Sequence, residues 1–421
     1  MRVPTWPLAL ALTALVMSTA SLGAQQPQDS LAERVRRAEE AIQQLRAQLE
    51  RQAPPPVRTR SRHTLELYGL ILANGFYNSA KANNSDIPLY ADTATADDPL
   101  GLPTSNVGAA VRQTRLGLTV SEVRALGATV TGALEVDFFG GQLPSAAGRT
   151  SPLLRLRIAT VRLDWAHVRL LAGQDWTLLA PQNALSFAAL GAPQFASSGN
   201  LWARAPQARL TAETEGRTHL GVQGAVLAPM QPRAQGFLAT QPDSAERSGR
   251  PSAEGRVYLA WGNGETTSEI GVAGHWGWLA TATDTLLASR AIAADARIAL
   301  GRHLVLSGEA YSGRGLGAFG GAVGQNLGVG GVPVRACGGW VQVDIRPGPG
   351  WQFGGGYGID DPNDDDLGLN GRGRNVTYAT HLIWRPAGGL LFGTEFRRIE
   401  TTYARGTLAV NHVNAYVGLA F

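Results

Sequence analysis

The chain of 421 residues has a single cysteine, Cys337, and a single lysine, Lys81. One cysteine cannot form an intramolecular disulfide, so stability must come from a large hydrogen-bonded structure. Beyond residue 24 there is no run of 18 consecutive apolar residues. Since a spanning helix needs about that length, the sequence excludes a membrane protein built from helices.

The excess of positive charge is also small. The formal net charge is +4, and it becomes +3 if Arg2 is removed with the leader described below. That excess is too slight to indicate nucleic acid as a partner, because nucleic-acid binding requires a concentrated basic surface. We therefore expect no nucleic-acid partner.

Residues 1–24 have the pattern of a secretory signal peptide. Arg2 supplies the positive start, an apolar stretch covers 8–16, and Leu22-Gly23-Ala24 forms a small-residue cleavage site. A retained membrane anchor is the alternative, although the apolar stretch is short for a spanning helix. No cysteine directly follows this leader, which argues against a lipid anchor. The pattern predicts an exported protein.

Residues 25–56 predict a short coiled-coil helix. Asp29 or Ser30 can cap its start, and Pro54-Pro55-Pro56 ends it. About three heptads are marginal alone, so the helix is expected to need partners. An amphipathic helix lying on a surface is the alternative. Residues 57–63 form a basic linker. The apolar seam, spaced alternately by four and three residues, consists of Leu31, Val35, Ala38, Ile42, Leu45 and Leu49.

From about Thr64 to the end, short alternating segments are separated by clusters of Gly, Pro, Asn and Asp, as in antiparallel β-structure. Connections alternate between short and long, and large even-numbered barrels enclose an aqueous channel. The sixteen candidate strands, a count uncertain by two, are 64–76, 109–121, 127–138, 154–165, 167–175, 203–213, 217–227, 253–262, 267–278, 288–300, 303–313, 335–346, 350–358, 376–385, 390–402 and 407–421.

The last of these segments alternates as far as a terminal aromatic, Phe421. A soluble sandwich has the same alternation, so periodicity alone does not separate the two folds. The export signal and the C-terminal Phe, which resembles the end of bacterial outer-membrane barrels, favour a membrane barrel. We predict an all-β transmembrane barrel of about 16 antiparallel strands over 64–421, preceded by the N-terminal coiled-coil helix.

The stretch 112–211 resembles the DcaP-like family of trimeric outer-membrane porins. The resemblance implies a homotrimer in the bacterial outer membrane, with the N-terminal segment in the periplasm. It also implies passage of small anionic solutes such as dicarboxylates, and a loop 177–202 that folds inward and narrows the pore. Phosphate-selective porins are less similar, because they depend on dense Arg and Lys ladders. The matching pieces are 112–118 (RQTRLGL), 132–138 (GALEVDF), 154–159 (LRLRIA), 172–177 (AGQDWT) and 199–209 (GNLWARAPQAR).

Charges on the expected wet face decide which ions such a pore admits. Nine arginines balance nine carboxylates on that face, whereas residues 177–202 carry no charge. The arginines cluster near the proposed constriction, which favours a weak anion preference. The alternative is that they only pair with neighbouring carboxylates. The residues predicted to line the pore and set its selectivity are Arg115, Glu135, Asp137, Arg155, Arg157, Arg204 and Arg209.

The candidate strand 154–165 contains a conflict of strand parity. Arg155 and Arg157 share a strand parity, but Arg162 and Asp164 have the other. A β-bulge between the two pairs would bring all four to one face. Alternatively, the second pair belongs to the turn.

Other features support no separate chemistry. His275 and Ser307 share the wet face, but no catalytic motif accompanies them, so we expect no enzyme, cofactor or metal. The aspartates of 360–366 lack calcium-loop spacing, which favours a solvated acidic loop over a divalent-cation site that bridges lipopolysaccharide. The glycine-rich run 313–331 is expected to be a flexible loop. Outer-membrane lipid and lipopolysaccharide are the expected surroundings, and a non-conducting structural or adhesive barrel is the alternative function.

Overall fold

A computed structural model describes residues 57–58, 63–92, 105–141, 152–230, 242–281, 283 and 285–421. The signal peptide 1–24, the coiled-coil segment 25–56 and most of the linker 57–63 lie outside the described residues. The predictions made for them therefore stay predictions.

The described residues form a barrel of sixteen antiparallel strands joined by loops and turns. Every strand predicted from the alternation has a counterpart. The strands are β1 (Thr64–Asn78), β2 in two pieces (Asn106–Ala110 and Arg115–Ala125), β3 (Ala128–Asp137), β4 (Arg155–Asp164), β5 (Val168–Trp176), β6 (Arg204–Glu213), β7 (Thr218–Leu227), β8 (Ser252–Trp261), β9 (Ser268–Ala280), β10 (Leu286–Leu300), β11 (Leu304–Arg314), β12 (Arg335–Gly348), β13 (Trp351–Pro362), β14 (Arg372–Trp384), β15 (Leu390–Tyr403) and β16 (Gly406–Ala420).

Each strand pairs with the next along the chain, and the last pairs with the first. Both pieces of β2 pair with β1, which is why they count as one strand. The barrel closes where Ala420 on β16 lies opposite Leu70 on β1 and His412 lies opposite Asn78. Closure leaves no strand edge to hydrogen-bond with a neighbour. The predicted closed barrel of about sixteen strands is confirmed.

A two-residue strand, Val57–Arg58, extends this pairing at the beginning of the barrel. It runs antiparallel to the start of β1, with Val57 opposite Leu65 and Arg58 opposite Thr64. Among the described residues, no helix has both the length and the apolar character needed to cross a lipid bilayer.

The apolar face of the strands points outward, in contrast to a soluble sandwich. On β16, His412 and Asn414 are fully buried, whereas Val413 and Val417 are 42% and 45% exposed. A sandwich would bury the valines and expose the polar side chains. The observed inversion is the arrangement of a barrel whose outside meets lipid.

Connections differ between the two ends of the barrel. At one end the strands are joined by turns such as 126–127, 301–303 and 349–350. At the other end, long loops dominate, with 281–285 and 404–405 as short exceptions. The predicted alternation of short and long connections is therefore largely present.

Two of the long loops form a packed core inside the barrel mouth. Loop 3 is defined here as 177–203 and loop 6 as 315–334. Leu201 of loop 3 packs in one cluster with Leu316 and Phe319 of loop 6, and the Trp202 N–H donates to the Phe319 carbonyl over 2.8 Å. The glycine-rich run 313–331 was expected to be a flexible loop, but its part 315–323 is mostly buried, with Leu316, Phe319 and Ala322 in this core.

Candidate solute pathway

Loop 3 folds into the barrel, as the family resemblance implied. It starts where β5 and β6 converge, with the Thr177 N–H donating to the Ala203 carbonyl over 3.1 Å. Gly173 on β5 has a φ of +126°, and a Cβ there would lie 2.1 Å from the Ala159 carbonyl oxygen. Only glycine fits this position, because the backbone approaches β4 closely. Most of the loop is buried, and it contacts strands on several sides of the barrel.

Three buried carboxylates on the inner wall bind loop 3 through its donors. Glu254 on β8 accepts from the Leu178 and Leu179 N–H groups over 2.6 and 3.2 Å. Glu395 on β15 accepts from the Ser186 hydroxyl over 2.5 Å and from the Phe187 and Ala188 N–H groups over 2.8 and 3.1 Å. Hydrogen bonds to a charged acceptor are the strong ones, so these contacts fix the path of the loop.

Glu309 on β11 completes this set, which we call the acidic wall (Glu254, Glu309 and Glu395). It accepts from the Gln182 N–H over 2.7 Å, from the Asn200 amide over 2.9 Å and from the Trp340 indole over 2.9 Å. The three carboxylates are only 5%, 7% and 1% exposed. Their charge is therefore covered by the loop that they hold.

Four arginines form a second wall on β2, on β4 and at the start of β6. We call it the arginine wall (Arg115, Arg155, Arg157 and Arg204). Arg155 pairs with Asp137 over 2.6 Å. Arg157 lies 2.6 Å from Glu135 and 2.8 Å from Asp137. The Arg115 Nε is 3.5 Å from Glu135. The predicted pairing with Glu135 and Asp137 is thus present for Arg115, Arg155 and Arg157, whereas Arg204 lies over the Trp176 and Trp202 rings.

The arginine wall also donates to loop carbonyls. Arg155 Nη2 reaches the Gly191 oxygen over 2.7 Å, and Arg157 Nη1 reaches the Leu190 oxygen over 3.3 Å. Loop 3 therefore presents backbone N–H groups to the acidic wall and backbone carbonyls to the arginine wall. This matches each side of the loop to the charge that it meets.

A β-bulge places Arg157 on the inner face. Glu135 lies opposite Ile158 while Val136 lies opposite Leu156, so Arg157 is the extra residue between them. The Gln174 amide on β5 donates to the carbonyls of Leu156 and Arg157 over 2.9 and 3.2 Å. An extra residue shifts strand parity by one, so Arg162 and Asp164 face the same side as Arg155. The bulge proposed from the sequence is confirmed.

Two cavities adjoin the arginine wall. One, of about 420 Å³, lies between Arg115, Arg157 and loop 3 residues 183–193. The other, of about 290 Å³, is shared by Arg155 and Arg204 and is bounded by Trp202 of loop 3. The Arg204 guanidinium carbon lies 4.8 Å from the centre of the Trp176 ring. Arg204 has the opposite strand parity to Arg209, and it reaches Trp176 from the first position of β6, directly after loop 3.

The charges around these cavities do not cancel. Arg209 pairs with Asp175, which also lines the larger cavity. The seven predicted pore residues are five arginines and two carboxylates, and Asp175 adds a third carboxylate. At full ionisation the formal excess is two positive charges. The structure thus brings together all seven residues of the predicted set in and around one side of the barrel.

Sequence reasoning missed the uncharged polar side chains that also hold loop 3. Gln113, in the gap between the two pieces of β2, accepts from the Leu190 N–H over 2.6 Å and donates to the Ala188 carbonyl over 3.1 Å. Asn375 on β14 donates to the Ser197 carbonyl over 2.7 Å. Gln113 belongs to one of the pieces matched to the porin family, but its spacing alone gave no indication of a loop contact.

The remaining sequence candidates lie apart from these cavities. His275 contacts Glu254 over 3.0 Å. On β10, His275 lies opposite Ala291 and Ser307 lies opposite Arg297, which is six residues further along the strand. At about 3.3 Å per residue this is about 20 Å, so the structure does not bring the two together.

The aspartates of 360–366 divide between the inside and the outside of the barrel. Asp360 is buried and accepts from the Tyr311 hydroxyl over 2.7 Å, and Asp366 pairs with Arg335 over 2.8 Å. The Arg335 guanidinium, through its hydrogen bonds, holds the pKa of the Asp366 carboxyl below its usual range. Within the described ranges no group of three potential metal-ligating side chains occurs.

Neither known family models nor the sequences of curated proteins match this chain. Solved structures do. The outer-membrane channel DcaP of Acinetobacter baumannii is 18% identical, with 87% of this chain and 99% of that chain covered at a TM-score of 0.67. An anion-selective porin from Comamonas acidovorans is 16% identical, with 85% and 100% covered at 0.53. The trimer form of OmpT from Vibrio cholerae is 10% identical, with 85% and 99% covered at 0.51. At these identities the likeness concerns the fold, and at that level the resemblance to DcaP-like porins is confirmed: this chain shares its barrel fold with the DcaP channel.

Proposed function

We propose that this chain is a bacterial outer-membrane porin that admits small hydrophilic solutes by passive diffusion and favours anions such as dicarboxylates. One observation carries the proposal: loop 3 covers the acidic wall and leaves a cavity of about 420 Å³ beside the arginine wall. In a water-filled passage the fixed charges on the wall decide which ions enter. A net excess of arginine attracts anions.

The size of the preference follows from Coulomb's law. A unit charge about 7 Å from a passing ion in water contributes about 0.6 kcal/mol, or roughly threefold in local concentration. Two uncompensated charges would therefore raise the local anion concentration about sevenfold and lower that of cations by the same factor at low salt, an effect reduced by screening at higher salt. The proposed selectivity residues are those predicted from the sequence: Arg115, Glu135, Asp137, Arg155, Arg157, Arg204 and Arg209.

The proposal includes a homotrimer tied together in the periplasm by the apolar seam of residues 31–49. The trimer form described for OmpT and the anion selectivity described for the Comamonas porin belong to proteins with this fold. They support both parts of the proposal by analogy.

Deleting 29–56 should leave single-barrel conductance intact but weaken assembly. Loss of conductance from intact trimers would contradict that role.

The test of the porin function is conductance of the purified, refolded protein in a planar bilayer. We expect stable steps that arise in groups of three. The packing of loop 3 against loop 6 inside the mouth favours one alternative, a closed structural or adhesive barrel. A silent bilayer from protein shown to be folded and inserted would support that alternative and overturn the porin.

A further inference from the structure

Three arginines lie side by side on the outside of the barrel, near the long loops. Arg290 on β10 is directly opposite Arg314 on β11, and Arg314 is directly opposite Arg335 on β12. All three are exposed. We call Arg290, Arg314 and Arg335 the arginine row.

Strand alternation directs the arginine row outward. Ser289 and Ala336, the sequence neighbours of Arg290 and Arg335, are 5% and 8% exposed and face the inside. Ile292 has the same parity as Arg290 and is 61% exposed. Since successive side chains point to opposite faces of a strand, the row shares the outer face with Ile292.

The row lies at the loop-side border of the apolar belt. Arg335 and Ile345, at the two ends of the outer face of β12, are ten residues apart. At about 3.3 Å per residue and a tilt of about 40°, this distance corresponds to about 25 Å of height, the usual thickness of the apolar band. Just beyond Ile345, the rings of Trp351 and Trp384 stack at 5.6 Å, as expected for an aromatic girdle at the opposite border.

Aromatic rings accompany the row at its own level. Trp276 on β9 is opposite Arg290, and the Arg290 guanidinium carbon lies 3.7 Å from the centre of that ring. Arg250 lies 4.6 Å from the ring centre of Trp278. Tryptophan rings next to cations are typical of the level at which lipid headgroups begin.

The described part of the chain neutralises the charges of the row only in part. Asp366 binds Arg335 through two contacts of 2.8 and 2.9 Å. Among the residues that the structure describes, no carboxylate lies within ion-pair distance of Arg290 or Arg314. Like charges directly opposite each other on neighbouring strands are destabilising. An anion between Arg290 and Arg314 would remove that repulsion.

We propose that the arginine row binds the phosphate groups of a phosphorylated glycolipid in the outer leaflet, of the lipid A type. The row faces away from the solute pathway and directly adjoins the lipid-facing side chain of Ile292, two residues along β10 from Arg290. A phosphorylated lipid contacts the arginines through its phosphate and the apolar side chains through its acyl chains. Free phosphate contacts only the arginines. The inference rests on the proposed outer-membrane location, but it concerns a binding site and not conduction.

The test compares binding of bis-phosphorylated lipid A to the full-length protein and to the double variant R290Q/R314Q, by native mass spectrometry in detergent. Arginines near an anionic lipid surface contribute about fivefold each, so we expect the affinity to fall about thirtyfold. R290K/R314K, which keeps the charge, should bind within a few-fold of the unsubstituted protein. The matched control R217Q/R302Q removes the same charge from two exposed short turns at the opposite end and should leave binding unchanged.

Lipid A stripped of both phosphates should bind weakly and equally to the unsubstituted protein and to R290Q/R314Q. Equal binding of intact lipid A to these two proteins would overturn the proposal. Inorganic phosphate that binds as tightly as lipid A would overturn the assignment to a lipid. Bilayer conductance measured on the same samples keeps the two hypotheses apart: a conducting protein without phosphate-dependent lipid binding is a porin without this site.

Discussion

The acidic wall and the arginine wall contain similar numbers of charges but differ in what those charges meet. Glu254, Glu309 and Glu395 all bind loop 3. Each accepts at least one backbone N–H of the loop, and Glu395 also accepts the Ser186 hydroxyl. Arg115 and Arg157 also contact the loop but still line a cavity. A tally of charged residues therefore does not measure the field in a pore, since covered charges contribute little to it.

The largest expected effect comes from breaking the acidic wall at Glu395. In E395A the Ser186 hydroxyl and the Phe187 and Ala188 N–H groups lose their shared acceptor in a buried site. Leaving buried donors unsatisfied costs about 1–3 kcal/mol each. We expect the middle of loop 3 to detach, single-channel conductance to rise and the free energy of unfolding to fall by several kcal/mol.

Conductance and thermal unfolding of E395A check this prediction. E265Q serves as a control, because Glu265 is exposed in a short turn. An E395A channel with the conductance and stability of the unsubstituted protein would show that loop 3 does not depend on this carboxylate.

The next largest effect concerns the arginine wall. R155Q/R157Q removes two positive charges while Glu135 and Asp137 remain, so the formal excess of two disappears. We expect the reversal potential in a salt gradient to shift toward cations, with the anion-to-cation permeability ratio falling by more than about tenfold at low salt. The double variant should also be less stable, because it leaves the buried Asp137 unpaired.

R162Q/R169Q is the matched control for this change. Both arginines bind Asp164 next to the short turn 165–167, away from the cavity lining. They face the inside but lie far from loop 3. Equal shifts of the reversal potential in the two double variants would mean that arginines beside loop 3 affect selectivity no more than other arginines on the inner face.

A smaller effect is expected where loop 3 touches the opposite strand. Gly199 has a φ of +94°, and a Cβ there would lie 2.2 Å from the Gly339 carbonyl oxygen. G199A should therefore push this part of loop 3 from the wall and destabilise the protein by about 1–3 kcal/mol. In G224A, by contrast, a Cβ would meet nothing within 4 Å. Thermal unfolding of both variants distinguishes a close backbone approach from a general effect of replacing glycine.

The smallest effect is expected at Asp366, outside the barrel wall. Because Arg335 lowers the pKa of Asp366, the contribution of this pair to loop stability is present above about pH 4. It is lost as the pH falls through the lower pKa of the folded state. Amide protection factors in 363–371, which compare each rate with the intrinsic rate at the same pH, should therefore fall on acidification, and D366N should show the lower protection already at neutral pH. Protection factors that do not change with pH in the unsubstituted protein would exclude this role.

Much of the fold could be predicted from the sequence because strand alternation is a local signal. The sixteen candidate segments, the inward loop and the bulge near Arg157 all have counterparts in the structure. The balance of nine arginines and nine carboxylates could not be resolved in the same way. Ser186 and Glu395 are separated by 209 residues, so no spacing indicates which carboxylates loop 3 covers. The arginine row was missed for the same reason, since strand register brings Arg290, Arg314 and Arg335 together.

The central claim is that loop 3 hides the acidic wall and leaves the arginine wall to set the field of the pore. The reversal potential of the unsubstituted channel across a tenfold gradient of potassium chloride, at low ionic strength, tests it most directly. The account predicts a potential of the sign that chloride selectivity produces, diminishing as salt is raised. A potential of the opposite sign from a conducting channel would contradict it, because the covered carboxylates would then govern the passage.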